Sequence, residues 1–350
     1  MKKKVLHLLS SEKFSGAENV VCQIIKIFKD EIEMAYCSPK GNIEATLKNE
    51  NIEYIGLEKL NYKNLKEIIE KYKPDIIHAH DVKASVIASR FSNRCEIISH
   101  IHANHNSMNC FNLKTIIYAI CSYKYKHIFW VSKSALEQYK FKKIIEKKST
   151  VLYNVINKQN IIEKANKDNN TYCYDIIYLG RLTYQKNPER LVEIIKKVCN
   201  IEKDIKVCIV GTGDLEEKIR EIIKEKNIEK NIDMLGFINN PAKILQSSKV
   251  MLMTSRYEGT PMCALEAMAL GVPIVSTSTD GLIELIDNQK TGYILDNDRD
   301  IVQTLIKISK DSELRNMLSI NSKKKFDEWN DINNYKKVLN ETYNKGEIWI

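Results

Sequence analysis

Short apolar runs alternate with amphipathic segments along most of the chain. Lys4–Leu9, Asp75–His80 and Val207–Val210 have the length and composition of strands buried in a parallel sheet. Between such runs, segments such as Ala17–Phe28 repeat apolar side chains at helical spacing. This alternation predicts an α/β fold built from doubly wound parallel sheets.

Length and composition narrow the class of protein. The 350 residues are enough for two domains of ordinary size. The first apolar run is short and is interrupted by His7, unlike a signal peptide, and no stretch approaches the about 20 apolar residues of a spanning helix. We therefore expect a cytoplasmic protein. Nine cysteines without a C-x-x-C pair argue against a zinc ribbon, a redox motif or a disulfide framework.

The most informative stretch begins at Ser255 and follows a buried strand. Thr260 suits a helix N-cap, Pro261 suits the first helical position, and Gly271 can adopt the left-handed conformation that ends a helix. The first amides of such a helix favour anionic or hydroxyl-rich ligands. The pattern therefore predicts a loop and helix that bind a ligand.

Two glutamates share this loop and helix. Glu258 lies in the loop, and Glu266 lies between one and two turns into the helix. Carboxylates accept hydrogen bonds from sugar hydroxyls, so the pair indicates a sugar-containing ligand. Either glutamate alone fits an ordinary solvated position better, and it is the pair that favours the ligand.

Cations follow another strand, Asp175–Gly180. Arg181 offers a planar fork and Lys186 a compact charge, and both suit a pyrophosphate, although alone they are as compatible with solvation. A G-x-G turn begins at Gly211. The full dinucleotide fingerprint is absent because Glu216 stands at the third glycine position, which argues against an NAD site.

Histidines cluster in the N-terminal half. His78 and His80 form one H-x-H pair, His100 and His102 form a second, and a single histidine, His105, follows. A metal site is conceivable, but no suitably spaced carboxylate or cysteine completes a ligand set. Both pairs end predicted parallel strands, where ligand sites form in α/β folds, so we expect no metal.

Positive charge is concentrated in the same half. The net charge is +9, and all of the excess lies in residues 1–155. Lys114–Lys148 contains nine lysines, interleaved with Tyr118, Tyr123, Tyr125, Phe129 and Trp130. Such a segment can dock on an anionic membrane, at about 1 kcal/mol per cation near the surface. A solvated helical face is the alternative, and we expect no nucleic-acid partner because no binding motif accompanies the charge.

The spacing of Glu258 and Glu266 resembles the E-x7-E signature of retaining family-4 glycosyltransferases. That resemblance implies the GT-B fold, in which two Rossmann-like domains face each other across a deep cleft. It implies an N-terminal acceptor-binding domain at 1–157, a linker at 158–170 and a nucleotide-sugar-binding domain at 171–322. A C-terminal helix at 323–350 is expected to cross back to the first domain.

The resemblance also assigns roles to single residues. Arg181 and Lys186 would neutralise the leaving diphosphate, Glu258 would hold the sugar, and Glu266 the ribose. His102, with His100 as the alternative, would approach the sugar, and a segment like the family's G-G-A-E would face the diphosphate from Gly16, although Ser15 replaces the first glycine. The expected catalytic residues are His102, Arg181, Lys186 and Glu258, and the expected donor-binding residues are Gly16, Gly180, Gly211, Ile238, Thr260, Pro261, Met262, Leu265 and Glu266.

The implied activity is retaining transfer of a sugar from a nucleoside diphosphate sugar, with UDP preferred over GDP. The expected acceptor is a glycan or lipid-linked saccharide in bacterial surface polysaccharide biosynthesis, at the inner face of the membrane, and no metal or other cofactor is expected. Two alternatives stay open: a non-catalytic nucleotide-sugar-binding partner of another glycosyltransferase, and a nucleotide-sugar epimerase.

Overall fold

The computed structural model describes residues 2–102 and 108–344. The chain divides into two compact units. The first unit comprises the residues up to Asn154 together with those from Ile332 onward, and the second comprises Val155–Asp331. Each unit has its own buried apolar core.

Within the described residues, the first unit holds a seven-stranded sheet with the order β3-β2-β1-β4-β5-β6-β7, in which every pairing is parallel. Its strands are β1 (Lys4–Leu8), β2 (Glu33–Pro39), β3 (Tyr54–Leu57), β4 (Ile76–Ala79), β5 (Glu96–Ile101), β6 (His127–Trp130) and β7 (Ser149–Val151). The helices between them are α1 (Gly16–Ile27), α2 (Ile43–Asn49), α3 (Tyr62–Tyr72), α4 (Val82–Ala88), α5 (Leu113–Ser122), α6 (Lys133–Glu137) and α7 (Lys142–Ile145).

The second unit holds a six-stranded parallel sheet with the order β10-β9-β8-β11-β12-β13 over its described length. Its strands are β8 (Tyr174–Leu179), β9 (Val207–Val210), β10 (Ile232–Gly236), β11 (Ser248–Met253), β12 (Ile274–Ser276) and β13 (Gly292–Ile294). Its helices are α8 (Lys158–Asn166), α9 (Pro188–Ile201), α10 (Glu216–Glu225), α11 (Ala242–Gln246), α12 (Met262–Leu270), α13 (Asp280–Leu285), α14 (Asp298–Lys310) and α15 (Ser312–Trp329).

These two sheets confirm the prediction of doubly wound parallel-sheet domains. Central strands are buried along their whole length: every residue of β4 and of β9 is buried. Strands covered by helices on both faces need continuous apolar runs, and this is the pattern that the sequence shows.

The loops at the carboxyl end of the second sheet pack backbone against backbone. Gly211 has a φ of +131°, and a Cβ there would lie 2.0 Å from the carbonyl oxygen of Gly180. A Cβ on Gly281 would lie 1.3 Å from the carbonyl oxygen of Gly259. Only glycine fits at these two positions, and the close approach fixes the loops that follow β8, β9 and β11.

The segment expected to be a linker, 158–170, is helical over most of its length. Residues Lys158–Asn166 form α8, which packs against α11 and α12. The side chain of Asn157 caps this helix by accepting a hydrogen bond from the amide of Asn160 at 2.9 Å, and Ala165 is completely buried. The polar composition hid a short helix with a narrow buried face.

The C-terminal helix also differs from the expectation of one element at 323–350. α15 continues to Trp329 and ends at Asn330, whose side chain bonds both the amide and the carbonyl of Ile156. A separate helix, α16 (Ile332–Asn344), then belongs to the first unit. The chain therefore returns at Ile332, and residues 345–350 lie outside the described residues.

Candidate functional site

An ion pair lies at the carboxyl end of the second sheet. Lys186 follows β8 and Glu258 follows β11, and these strands are neighbours, so their following loops meet. The Lys186 Nζ lies 2.6 Å from the Glu258 Oε1, and the two side chains are only 13% and 5% exposed. The structure thus brings together a cation and a carboxylate that the sequence placed in one site without pairing them.

Two further side chains hold the Glu258 carboxylate. The Ser255 hydroxyl donates to Oε1 at 2.6 Å, and the Gln185 amide donates to Oε2 at 3.5 Å and to the Tyr257 carbonyl at 3.1 Å. Sequence reasoning missed both residues. The available signal was position alone, because Ser255 lies three residues before Glu258 and Gln185 directly precedes Lys186.

The neighbouring carboxylate favours the charged form of Lys186. Burial by itself lowers the pKa of Lys186, but the Glu258 carboxylate attracts and hydrogen-bonds the ammonium, so the pKa lies above its ordinary value. The Arg181 side chain remains exposed, and its guanidinium donates to the Gln185 side chain at 3.4 Å. One buried and one exposed cation therefore share this loop.

Helix α12 begins beside this pair. Pro261, in an extended conformation, occupies the N-cap position and Met262 is the first helical residue. The sequence predicted Thr260 as the N-cap and Pro261 as the first helical residue, so the helix begins one residue later than expected. Gly271 ends the helix with a φ of +77°, as expected. The first amides of α12 lack intrahelical acceptors and provide donors for an anion.

Glu266 lies in the middle of α12 and has a perturbed acidity. Burial raises the pKa of its carboxyl to about 7, and Lys164 of α8 acts in the opposite direction. Leu265 next to it is fully buried. Helix α8, which lies where a linker was expected, thus places the positive charge of Lys164 near Glu266, the residue predicted to bind the ribose.

The remaining predicted donor-binding residues of the second unit line the same sheet edge. Gly180 donates its amide to Val210 at 3.0 Å, and Gly211 donates to Gly236 at 2.7 Å. Ile238 lies two residues beyond β10 and is half-buried. All these positions follow carboxyl ends of strands, where α/β folds bind ligands.

The first unit places its predicted residues at its own sheet edge. Gly16 is exposed and is the first residue of α1, and the side chain of Ser15 donates to the buried Glu18. His102 directly follows β5, whereas the alternative, His100, is completely buried within the strand. His105 lies outside the described residues.

The basic segment Lys114–Lys148 differs from the expected mixture of lysines and aromatic side chains. Tyr118, Tyr125, Phe129 and Trp130 are core residues because they pack beneath the surface, and only Tyr123 of the five aromatics is exposed, at 74%. Other apolar side chains are exposed instead of these four aromatics. They lie on α5 and just before it: Phe111, Leu113, Ile116 and Ile120.

Exposed lysines occur in the same segment as these apolar side chains. The exposed ones in the segment include Lys114, Lys124, Lys140 and Lys143, and the Lys140 Nζ lies 4.6 Å above the ring of Phe111. We call Phe111, Leu113, Ile116, Ile120 and Tyr123, with these lysines, the α5 surface. Throughout the described chain, no helix combines the length and apolarity needed to cross a bilayer.

Comparison with known proteins agrees with this architecture. Two Rossmann-like units, each built on a parallel sheet, are the architecture of the GT-B fold. A solved structure of Anabaena Alr3699/HepE in complex with UDP and glucose superposes with a TM-score of 0.85 at 16% identity, covering 97% of this chain and 99% of that one.

Family models identify the group within that class. "Glycosyl transferases group 1" matches residues 157–325, and "Glycosyl transferase 4-like" matches residues 16–134. The chain belongs to the family-4 glycosyltransferases of the GT-B fold.

Curated relatives are similar over most of the chain. The capsular polysaccharide biosynthesis glycosyltransferase CapH of Staphylococcus aureus is 26% identical over 79% of this chain and 81% of its own length. The UDP-Gal:alpha-D-GlcNAc-diphosphoundecaprenol alpha-1,3-galactosyltransferase of Escherichia coli is 26% identical over 75% of this chain and 73% of its own length.

Proposed function

We propose that this glycosyltransferase transfers a sugar, with retention of anomeric configuration, from a UDP-sugar to a lipid-linked saccharide during bacterial surface polysaccharide biosynthesis. The observation that carries the proposal is the buried Lys186–Glu258 pair at the start of α12. The name of one curated relative places it in capsular polysaccharide biosynthesis, which supports the pathway class, and the name of the other includes a diphosphoundecaprenol-linked sugar, which supports the acceptor class.

The cations act on the leaving group. Arg181 is exposed and free to turn towards a diphosphate, while Lys186 supplies a buried ammonium beside it. Preorganised charges aimed at a leaving group commonly provide the largest share of catalysis. These two residues, with the first amides of α12, supply the positive charge, so the proposed reaction requires no metal.

The carboxylates select the sugar and the nucleoside. Glu258 is fixed by Ser255 and Lys186, and its remaining lone pairs suit hydroxyls of the donated sugar. Glu266 accepts from the ribose hydroxyls, and the backbone near Ile238 packs the base. Gly180 and Gly211 allow close approach of the phosphates, and the buried side chains of Thr260, Pro261, Met262 and Leu265 hold the backbone of the loop and helix.

In the proposed step, the bond between the anomeric carbon and the diphosphate oxygen breaks, and both electrons leave with the diphosphate. The acceptor hydroxyl forms its bond on the same face, and its proton passes to an oxygen of the departing phosphate. Glu258 positions the sugar and forms no covalent bond. A retaining glycosidase instead uses a pair of carboxylates as acid and nucleophile.

The α5 surface fits docking on an anionic membrane. Ile120 and Leu113 are 64% and 73% exposed, unusual for aliphatic side chains on a helix, and lysines flank them. An apolar face bordered by cations binds the interface between headgroups and acyl chains. Docking would bring the enzyme to a lipid-linked acceptor.

Transfer of radiolabel from UDP- and GDP-sugars into the organic-extractable fraction of bacterial membranes tests the activity. Label should appear with the unmutated protein and with Glu221→Ala, which changes an exposed glutamate on α10, and should be lost with Glu258→Ala. Epimerised donor without any acceptor would instead identify an epimerase. Nucleotide binding without transfer to any acceptor would identify a non-catalytic partner.

Sedimentation with lipid vesicles tests docking separately. The double variant Leu113→Ser/Ile120→Ser should lose binding to vesicles that contain anionic lipid. Ile320→Ser, which changes a residue 68% exposed in the second unit, should bind as the unmutated protein does. Equal binding by all three proteins, or equal binding to neutral vesicles, would contradict docking through the α5 surface.

A further inference from the structure

Three histidines, one in β1 and one directly after each of β4 and β5, form a hydrogen-bonded chain in the first unit. The His7 Nδ1 lies 2.9 Å from the His80 Nε2, and the His80 Nδ1 lies 2.9 Å from the His102 Nε2. His7 and His80 are fully buried, and the Nδ1 of His102 is a buried atom without a hydrogen-bond partner among the described residues. The chain therefore ends at the residue expected to approach the sugar.

The contact that His7 makes with Met34 fixes the direction of the hydrogen bonds between the three histidines. The His7 Nε2 lies 3.4 Å from the Sδ of Met34, and a thioether sulfur can only accept. Burial keeps these rings neutral by lowering the pKa of His7 and of His102 to about 3 and that of His80 well below its ordinary value. A neutral ring carries one proton, so His7 carries it on Nε2 and accepts at Nδ1.

The same reasoning then passes along the chain. Because His7 accepts at Nδ1, the His80 Nε2 must donate, and the His80 Nδ1 must accept from the His102 Nε2. His102 is left with a lone pair on its Nδ1, to which no group in residues 2–102 or 108–344 donates. In the opposite direction, the His7 Nε2 lone pair would face a sulfur that cannot donate, and an unpaired N–H would remain at His102.

We propose that His7 and His80 are positioning residues that hold His102 in the Nε2–H tautomer, so that its Nδ1 accepts a hydrogen bond from a hydroxyl of the donated sugar. The identity of the ligand rests on the proposed function, whereas the tautomer does not. A buried acceptor without a partner is rare in folded proteins, and a sugar hydroxyl supplies the missing donor.

A metal is the competing occupant of this cluster. Nitrogens of His7, His78 and His80 lie within 4.8 Å of one another, as do those of His80, His100 and His102. However, the rings stack: the centroids of His100 and His102 are 4.1 Å apart and their planes differ by 30°. Lone pairs lie in the ring planes, so stacked rings direct them side by side rather than towards one ion.

NMR of protein labelled with ¹⁵N-histidine tests the tautomer directly, because protonated and unprotonated ring nitrogens give distinct signals. We expect His7, His80 and His102 each to carry the proton on Nε2. A proton on Nδ1 of any of the three would overturn the proposal. So would one equivalent of zinc retained through exhaustive dialysis with shifts of these ring signals.

Met34→Leu separates positioning from packing, because it conserves volume and removes only the sulfur acceptor. We expect mixed tautomers at His102 and a fall of about tenfold in kcat/KM for the donor, the effect of one misdirected hydrogen bond. Met251→Leu, in the core of the second unit, is the matched control and should change neither quantity. An unchanged His102 tautomer in Met34→Leu would overturn the relay.

Donor kinetics separate this inference from the activity. Nε2–H tautomers in a protein that transfers no sugar would support the relay while removing the proposed function. Active enzyme whose His102 tautomer shifts in Met34→Leu without loss of kcat/KM would overturn the contact with the sugar.

Discussion

The two units place polar side chains at equivalent edges of their sheets but stabilise them differently. The second unit buries opposite charges, with Lys186 and Glu258 2.6 Å apart. The first buries neutral rings, among them His7, His80 and His100, each 0–1% exposed. Desolvation acts on both, and it is offset by attraction in the second unit and by loss of charge in the first.

This difference separates the two tasks that the proposed reaction sets. A diphosphate leaving group needs fixed positive charge, and an ion pair stores a cation in a buried position until the anion arrives. A sugar is uncharged and needs directed hydrogen bonds, and neutral imidazoles provide donors and acceptors of defined direction. Four experiments test or refine the comparison, beginning with the largest expected effect.

Acid should unfold the first unit before the second. All seven histidines of the sequence lie at or before His127. Burial lowers the pKa of His7 and of His102 to about 3 and that of His127 to about 4. Burial also lowers the pKa of His78, His80 and His100 well below the ordinary value. The unfolded chain then binds more protons below about pH 6.5, so stability is lost as the pH falls. His7, His102 and His127 each cost about 2 kcal/mol at pH 5.

Hydrogen exchange read peptide by peptide measures this loss. Protection factors of β1, β4 and β5 should fall between pH 7 and pH 5 while those of β8 and β11 persist. The second unit has an opposing group, because the raised pKa of Glu266 makes the folded state bind more protons between about pH 4.5 and pH 7. Glu266→Gln should remove that gain without altering the first unit. Simultaneous loss of protection in both units would contradict the contrast.

Lys186→Met should abolish most turnover. Loss of the buried cation removes charge stabilisation of the leaving diphosphate, for an expected decrease on the order of a thousandfold. It also leaves Glu258 buried without its cation, lowering the free energy of unfolding by about 3–5 kcal/mol. Steady-state kinetics with the UDP-sugar and urea unfolding measure the two effects.

A double variant distinguishes these effects. Adding Glu258→Gln to Lys186→Met removes the uncompensated charge, so much of the lost stability should return while turnover stays low. Lys197→Met is the matched control: its partner Asp298 is 27% exposed and keeps a second cation, Arg190, so the cost should be under about 1 kcal/mol. Turnover that recovers together with stability would show that Lys186 is structural only.

Binding of UDP should strengthen as the pH rises from 6 to 8. The pKa of Glu266 is about 7, and its ionised carboxylate accepts hydrogen bonds from ribose better than the protonated form does. The expected gain is about tenfold in affinity, measured by calorimetry. Because the terminal phosphate of UDP also titrates near pH 6, the decisive quantity is the affinity ratio between the unmutated protein and Glu266→Gln, and a constant ratio would contradict the ribose contact.

The sequence predicted far more of the second unit than of the first. Strand endings placed Lys186 and Glu258 at one sheet edge, because parallel strands align their carboxyl ends. Pairing with Ser255 and Gln185 depends on loop conformation, which leaves no periodic signal. In the first unit, the H-x-H pattern located the histidines. Their hydrogen bonds depend on which strand lies beside which, and the register that sets His7 opposite His78 is a tertiary property.

The smallest expected difference compares one hydroxyl in each unit. Ser255 donates to the Glu258 carboxylate at 2.6 Å, and the Tyr343 hydroxyl lies 2.8 Å from the His78 Nδ1. Ser255→Ala removes a bond to a charged group, worth about 1.5–3 kcal/mol, and Tyr343→Phe removes a neutral one, worth about 0.5–1.5 kcal/mol. Urea unfolding measures both, and turnover should fall only in Ser255→Ala, because Glu258 loses orientation while His78 contacts no reacting group. If Ser255→Ala and Tyr343→Phe lower the free energy of unfolding equally, a hydrogen bond to the Glu258 carboxylate is no stronger than one to a neutral ring. The proposed contrast between a charged and a neutral sheet edge would then fail.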